Sequence, residues 1–210
     1  MRMFSALAVA AVATLLGVLW YMTANRGSDD IFAECRAGNI AGGSAAIGGP
    51  FELVDETGKT VTDKDVITGP SLLYFGYTFC PDVCPLDNAR NAEAITLLEE
   101  QGKMVTPIFI SIDPERDTPE AMAEFTDYMH PRMLGLTGSP EQVKAASKAY
   151  RTYFKKEDDG DPEYYLVDHS TFTYLVFPKH GFVEFFKRDA TPEDMATRIG
   201  CFVDADAKSN

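Results

Sequence analysis

Hydrophobic positions divide the chain into an apolar head, a stretch of small residues and a long body in which apolar and polar positions alternate in short blocks. From Met3 to Met22 no side chain is charged, and only Ser5, Thr14 and Gly17 interrupt the run. A run of about 20 such residues predicts a helix able to cross a bilayer. Arg2 and the terminal amine precede it, Trp20 and Tyr21 sit where interfacial aromatics are expected, and Asp29-Asp30 follow. The positive-inside rule then directs the chain beyond about residue 26 out of the cytoplasm, with Arg26 running against it. A cleaved signal peptide is the competing reading, but the run exceeds an ordinary signal core and no clean A-x-A site follows. Residues 1–25 are therefore read as an uncleaved anchor with a short cytoplasmic end, and 26–48, rich in Gly, Ala and Ser, as a flexible tether. The body, 49–206, is a single exported domain.

Within the body, Phe51 to Val54, the turn Glu56-Thr57-Gly58-Lys59 and Val61 predict a hairpin. The runs Leu72 to Phe75 and Val105 to Ile112 predict strands covered on both faces, since such strands lose the alternating pattern. Three helix starts share one device: Thr118-Pro119-Glu120, Ser139-Pro140-Glu141 and Thr191-Pro192-Glu193. The hydroxyl caps free N–H groups, proline supplies the φ of a first helical residue, and glutamate suits the positive helix end. Helical spacing follows each: Met122, Phe125, Met129; Val143, Ala146, Tyr150, Phe154; Met195, Ile199, Phe202. Thr171 to Phe177 and Phe182 to Phe186 predict two further strands around the turn at Pro178-Lys179-His180-Gly181. Another helix is expected over about 85–100. Periodicity alone makes this an α/β chain; the order β, α, β, α, α, β, β, α is also that of thioredoxin-like folds, a central mixed sheet flanked by helices.

With 210 residues, 45% of them hydrophobic, the chain has enough material for one sizeable core. Its formal charge of −13 argues against nucleic acid as a partner, because binding a phosphate backbone needs basic surface.

Export gives the four cysteines an oxidising setting, in which three pairings are open. Two separate pairs form the natural hypothesis, with Cys35 and Cys201 a staple from the segment after the anchor to the last helix; two unpaired thiols are the alternative. Cys80 and Cys84 lie in Gly76-Tyr77-Thr78-Phe79-Cys80-Pro81-Asp82-Val83-Cys84-Pro85, directly after a predicted buried strand. Pro85 suits a helix start, which puts Cys84 at or beside the cap, where free N–H groups and the helix dipole favour a thiolate; Cys84 is therefore expected to ionise readily. Pro81 biases Cys80 toward extended backbone, so both sulfurs are expected to face one cleft. Such thiols either attack disulfides or hold a soft ion such as Cu(I), and a plain stabilising disulfide is equally compatible with a bare C-x-x-x-C. Three residues separate the pair, against two in thioredoxin, and the Trp that precedes thioredoxin's first cysteine is absent. A structural zinc site asks for four closely spaced ligands, which one pair and scattered histidines do not supply.

Of the three histidines, His130 is expected at the negative end of a helix and His180 in a solvent-facing turn. His169, in Tyr165-Leu166-Val167-Asp168-His169-Ser170, reads by itself as a loop or core histidine. The cysteine stretch, the block Ser111-Ile112-Asp113-Pro114-Glu115-Arg116-Asp117-Thr118-Pro119 and the block Val167-Asp168-His169-Ser170, in that order behind a membrane segment, resemble the Sco/SenC family over roughly residues 46–203. The resemblance implies copper bound as Cu(I) and Cu(II) by Cys80, Cys84 and His169, in a carrier that loads the dinuclear CuA centre of cytochrome c oxidase subunit II. It also implies a site in the periplasm, at the inner membrane, with other periplasmic copper carriers as further partners. Two thiolates satisfy Cu(I), and an imidazole lets the same site hold Cu(II). Asp168 is a candidate acceptor for the imidazole, and Asp113 a candidate neighbour of the metal; turn and cap chemistry is the plain reading of Asp113 and Asp117. The acidic stretch Glu157 to Glu163 reads as a solvated loop, with contact to a partner as the sharper hypothesis.

The alternative function is a thiol-disulfide oxidoreductase in which Cys80 and Cys84 are catalytic and reduce the CuA-site cysteines. His169 separates the two, because thiol exchange has no need of it. A peroxidase is disfavoured, since Thr78 lies two residues before Cys80 and the P-x-x-x-T-x-x-C pattern is absent.

Overall fold

The computed structural model describes residues 12–22, 30–36, 46–157 and 164–209. Its elements run α1 (12–22), β1 (Glu52–Asp55), β2 (Thr60–Thr62), α2 (Asp63–Val66), β3 (Ser71–Gly76), α3 (Val83–Glu100), β4 (Thr106–Ser111), α4 (Pro119–Met129), β5 (Leu134–Thr137), α5 (Pro140–Ala149), β6 (Phe154–Lys156), β7 (Val167–His169), β8 (Thr173–Phe177), β9 (Gly181–Phe186) and α6 (Pro192–Ser209).

Strand β3 is buried at all six positions because it has neighbours on both edges and helices over both faces. It pairs in parallel with β4, Tyr74 opposite Phe109, and antiparallel with β8, Leu73 opposite Tyr174. The full sheet reads β2-β1-β5-β4-β3-β8-β9, with β3, β4 and β5 parallel and the outer strands antiparallel, a mixed sheet of the thioredoxin-like kind. Alternation along β3 divides the core. Leu72 joins Ile95 and Leu98 of α3 with Met195, Ile199 and Phe202 of α6, while Tyr74 bonds to α3 on the same face. Phe75 points the other way, its ring 5.5 Å from that of Tyr150.

Each predicted Pro-Glu helix start is a helix start. Thr118 Oγ1 accepts from Ala121 N, and Ser139 accepts from Gln142 N in a reciprocal capping box. At the end of α5 the apolar spacing misleads: the helix stops at Ala149, and Arg151 takes a left-handed φ of 54°. The turn there returns Thr152 N to Ser147 O, so Phe154 opens strand β6 instead of closing the helix. Strand β5 and the small β6–β7 hairpin lie beyond the predicted order.

Cys35 and Cys201 form a disulfide across 166 positions of sequence. It fastens 30–36 to α6, and Phe32 fills the space beside it, its ring 5.5 Å from Phe177 and 5.2 Å from Phe202. Segment 12–22 is an exposed helix, and no helix among the described residues is long and apolar enough to cross a membrane. The head of the predicted anchor, most of the tether and 158–163 of the acidic stretch lie outside the described residues.

Candidate metal centre

The parallel strand β3 ends at Gly76, and the chain must leave it over the N-terminus of α3. A side chain there is excluded by close approach: a Cβ on Gly76 would lie 2.8 Å from the Tyr74 ring and 3.0 Å from Cys84 Sγ. The loop that follows is tied to the second sequence block by one buried carboxylate. Asp117 accepts from Thr78 Oγ1 at 2.6 Å, from Thr78 N at 3.2 Å and from Ser111 Oγ at 2.6 Å. Burial raises its pKa against these hydrogen bonds. Asp113 lies in the same block, where it accepts from Tyr165 OH at 2.6 Å and pairs with Arg116, whose guanidinium stacks 3.6 Å from the centre of the Tyr165 ring. Both aspartates thus brace the loops around the centre and stand outside its donor set.

Helix α3 begins at Val83, so Cys84 is its second residue and is fully buried. Asp82 occupies the cap position without a side-chain bond to the helix. The sulfur of Cys80 fills that role: Cys84 N donates to Cys80 Sγ at 3.4 Å. Helix ends favour negative charge at such a point, so the stabilised thiolate is that of Cys80. Its pKa falls well below the ordinary 9.0, chiefly through its hydrogen bond with the Cys84 thiol, with the N–H groups of Asp82 and Cys84 adding to it against desolvation. Cys84 moves the other way, pushed up by the bond to Cys80 and then by burial. The expectation that Cys84 ionises readily is thereby corrected. The helix start does favour a thiolate, but its first-turn N–H reaches back to the earlier sulfur.

His169 arrives on β7, whose pairing with β6 sets it opposite Phe154. Its Nδ1 donates to the carbonyl of Ser170 at 2.9 Å, which leaves Nε2 as the lone-pair nitrogen, 3.3 Å from Cys84 Sγ. Asp168 does not hold the ring. Neighbouring side chains on a strand diverge, and Asp168 points to solvent. Tyr74 and Tyr77 wall the imidazole edge-on, with ring centres at 6.2 and 5.9 Å. Tyr77 OH accepts from Val167 N at 3.3 Å, binding β7 to the cysteine loop, and burial raises its pKa to about 12. Behind Cys84, Tyr74 OH donates to buried Asp87 at 2.9 Å, and Asp87 in turn pairs with Arg188 at 3.2 Å. These tyrosines, Ser170 and Asp87 escaped the sequence reading, although Tyr74 and Tyr77 flank the glycine that precedes the cysteine loop.

Cys80, Cys84 and His169 therefore present two sulfurs and a ring nitrogen within 4.8 Å of one another. Three members among the described residues fall short of the four protein ligands of a structural zinc site. Cys80 and Cys84 are both free thiols, so of the two hypothesised pairs the only disulfide joins Cys35 and Cys201. His130, by contrast, is a buried cap of α4, its pKa lowered by burial, and His180 bonds Asp206 at 2.9 Å and stands outside the donor set.

The unequal thiols make an expected result. In the reduced protein, iodoacetamide should label Cys80 first, at a rate nearly flat between pH 8 and pH 6. An ordinary thiol of pKa 9.0 loses about tenfold per unit in that range. Peptide mass mapping across pH reads both the site and the slope; a tenfold fall per unit at Cys80 would contradict the assignment.

The SCO1/SenC family model matches residues 40–204. Protein SenC of Rhodobacter capsulatus is 58% identical over 198 residues, which span 94% of this chain and 89% of that protein. The mitochondrial SCO1 homolog 1 of Arabidopsis thaliana is 46% identical over 70% of this chain, which spans 44% of the longer relative. Among solved structures, Arabidopsis thaliana ScoI with copper bound superposes with a TM-score of 0.70 at 41% identity, covering 78% of this chain and 99% of that one. The converging blocks thus have counterparts along nearly the whole body, and the chain belongs to the SCO1/SenC family.

Proposed function

We propose that Cys80, Cys84 and His169 bind copper and that the protein is a copper carrier for the CuA centre of cytochrome c oxidase subunit II. The observation that carries this reading is the donor set itself: two sulfurs converge with an imidazole nitrogen whose partner nitrogen is already committed to Ser170 O. Soft sulfur suits Cu(I), and the added nitrogen suits Cu(II), so one site accepts both states of a travelling ion. Uptake by all three donors requires Cys84 to release its proton, which links loading to pH. Relatives crystallised with copper support the same ion here. The domain, 49–206, is held at the inner membrane by residues 1–25 and works in the periplasm; of the expected tether 26–48, residues 30–36 are fastened to α6 through Cys35 and belong with the domain.

A second reading has its own support. A low-pKa Cys80 beside a protonated Cys84 is the asymmetry of an attacking and a resolving thiol. In that reading Cys80 attacks a disulfide of apo-subunit II, Cys84 then displaces the reduced subunit, and the carrier leaves with its own pair oxidised.

One experiment divides them. Copper-loaded full-length protein is mixed with the apo CuA domain in reduced and in disulfide form, and copper and free thiols are followed together. Copper is expected to move to the reduced domain in about one equivalent per chain, with a sulfur-to-copper band lost from the donor. Thiol exchange without copper movement overturns the carrier reading.

A further inference from the structure

The chain carries 32 carboxylates against 19 Lys and Arg, yet one groove inverts that balance. Between α5 and β6 the surface is lined by Lys144, Lys148, Arg151, Lys155 and Lys156, and among the described residues no carboxylate lines it. Lys144 and Lys148 are exposed, one helical turn apart on α5, where like charges repel. Lys144, Lys148 and Arg151 have no carboxylate partner among the described residues, whereas Lys156 pairs with Glu115 at 3.0 Å. Arg151 lines the same groove, its Nε donating to the carbonyl of Ala46 at 2.5 Å.

One strand pairing links the groove to the metal centre. β6, which bears Lys155 and Lys156, pairs with β7 so that Phe154 faces His169 and Lys155 faces Asp168. Around the centre itself, large apolar side chains are left in solvent on the segments that carry the three donors: Phe79 is 56% exposed, Leu86 60% and Leu166 48%. An apolar middle with a charged flank is the composition of a protein interface, and exposed apolar side chains gathered in one place mark such surfaces.

We infer that the groove between α5 and β6, joined by the β6–β7 pairing to the segment that bears His169, forms with the exposed apolar side chains beside Cys80, Cys84 and His169 the docking surface for a protein partner in copper exchange. Such a partner carries a carboxylate-rich flank beside its own copper ligands. The inference rests on the copper-carrier reading and adds which face the partner meets and by what charge. Handing over an ion held between buried sulfurs requires the acceptor's ligands to reach the collar, and the cations then fix the direction of approach. Attraction between opposite charges acts mainly on the rate of encounter and is screened by salt.

The test combines Lys144→Glu, Lys148→Glu and Arg151→Glu in the full chain, held in nanodiscs, with the cognate apo CuA domain of subunit II as probe. Binding kinetics and copper movement are measured separately. The triple variant should load copper as the parent does and associate on the order of tenfold more slowly at low salt, the difference closing near about 1 M salt, where the Debye length is about 3 Å. Charge-dependent association without any copper movement would remove the carrier reading and leave the surface standing. Association equal to the parent's at every salt concentration overturns the inference. So does groove lysine labelling that is protected in phosphatidylglycerol nanodiscs alone while the partner's binding ignores the reversal, an outcome that assigns the cations to lipid headgroups.

Discussion

Replacing His169 with alanine is expected to lower Cu(II) affinity by about 100-fold or more while Cu(I) affinity falls by less than about tenfold. The difference follows from the donors that remain. Cys80 and Cys84 suffice for a linear pair of thiolates around Cu(I), whereas Cu(II) loses the one nitrogen in the set. The substitution also removes the Nε2 contact with Cys84 Sγ and the edge-on packing against Tyr74 and Tyr77. Thermal unfolding of the copper-free variant therefore accompanies the titration, so that a loss of affinity is separated from a loss of fold. Competition titrations for each oxidation state and the intensity of the sulfur-to-copper band give the answer. Unaltered Cu(II) binding would remove His169 from the ligand set.

The second large effect concerns stability. Changing Cys35 and Cys201 together to serine should destabilise the folded domain by about 3–5 kcal/mol and lower Tm by roughly 10 °C. The cross-link spans 166 positions, so it removes much freedom from the unfolded chain. It also holds Phe32 against Phe177 and Phe202, apolar area that the freed 30–36 segment would return to water. Copper binding should be unchanged, because the proposed centre uses Cys80 and Cys84, which are free of the cross-link. Urea and thermal melts with and without reductant check the size, and a Tm shift under about 2 °C would contradict it.

Sequence pattern reaches the sheet centre well and its small parts poorly. The unbroken apolar runs at Leu72 to Phe75 and Val105 to Ile112 are legible because two covered faces demand them. Leu134 to Thr137 escapes, since a four-residue strand containing Gly135 shows no period of its own. Phe154 continues a helical spacing that only the backbone of Arg151 interrupts, and φ is invisible in composition. At the centre, Cys80 and Cys84 are legible from their flanking prolines and position after a strand. His169 is brought to Cys84 across 85 positions by pairing of three-residue strands, which no local signal encodes. Its place therefore had to come from the likeness of whole blocks. The ionised sulfur was misassigned for a geometric reason: which N–H faces which sulfur depends on the loop path over Gly76, not on distance along the chain.

The bond from Cys84 N to Cys80 Sγ has one more consequence. A hydrogen bond to a ligating sulfur draws electron density away from it, weakens its donation to the oxidised ion and raises the reduction potential of the centre. Here the donor is main chain, so no substitution of the Cys84 side chain deletes it short of proline, which lacks the N–H. If Cys80 is a copper ligand as proposed, the preference between the two copper states is written partly into the first turn of α3.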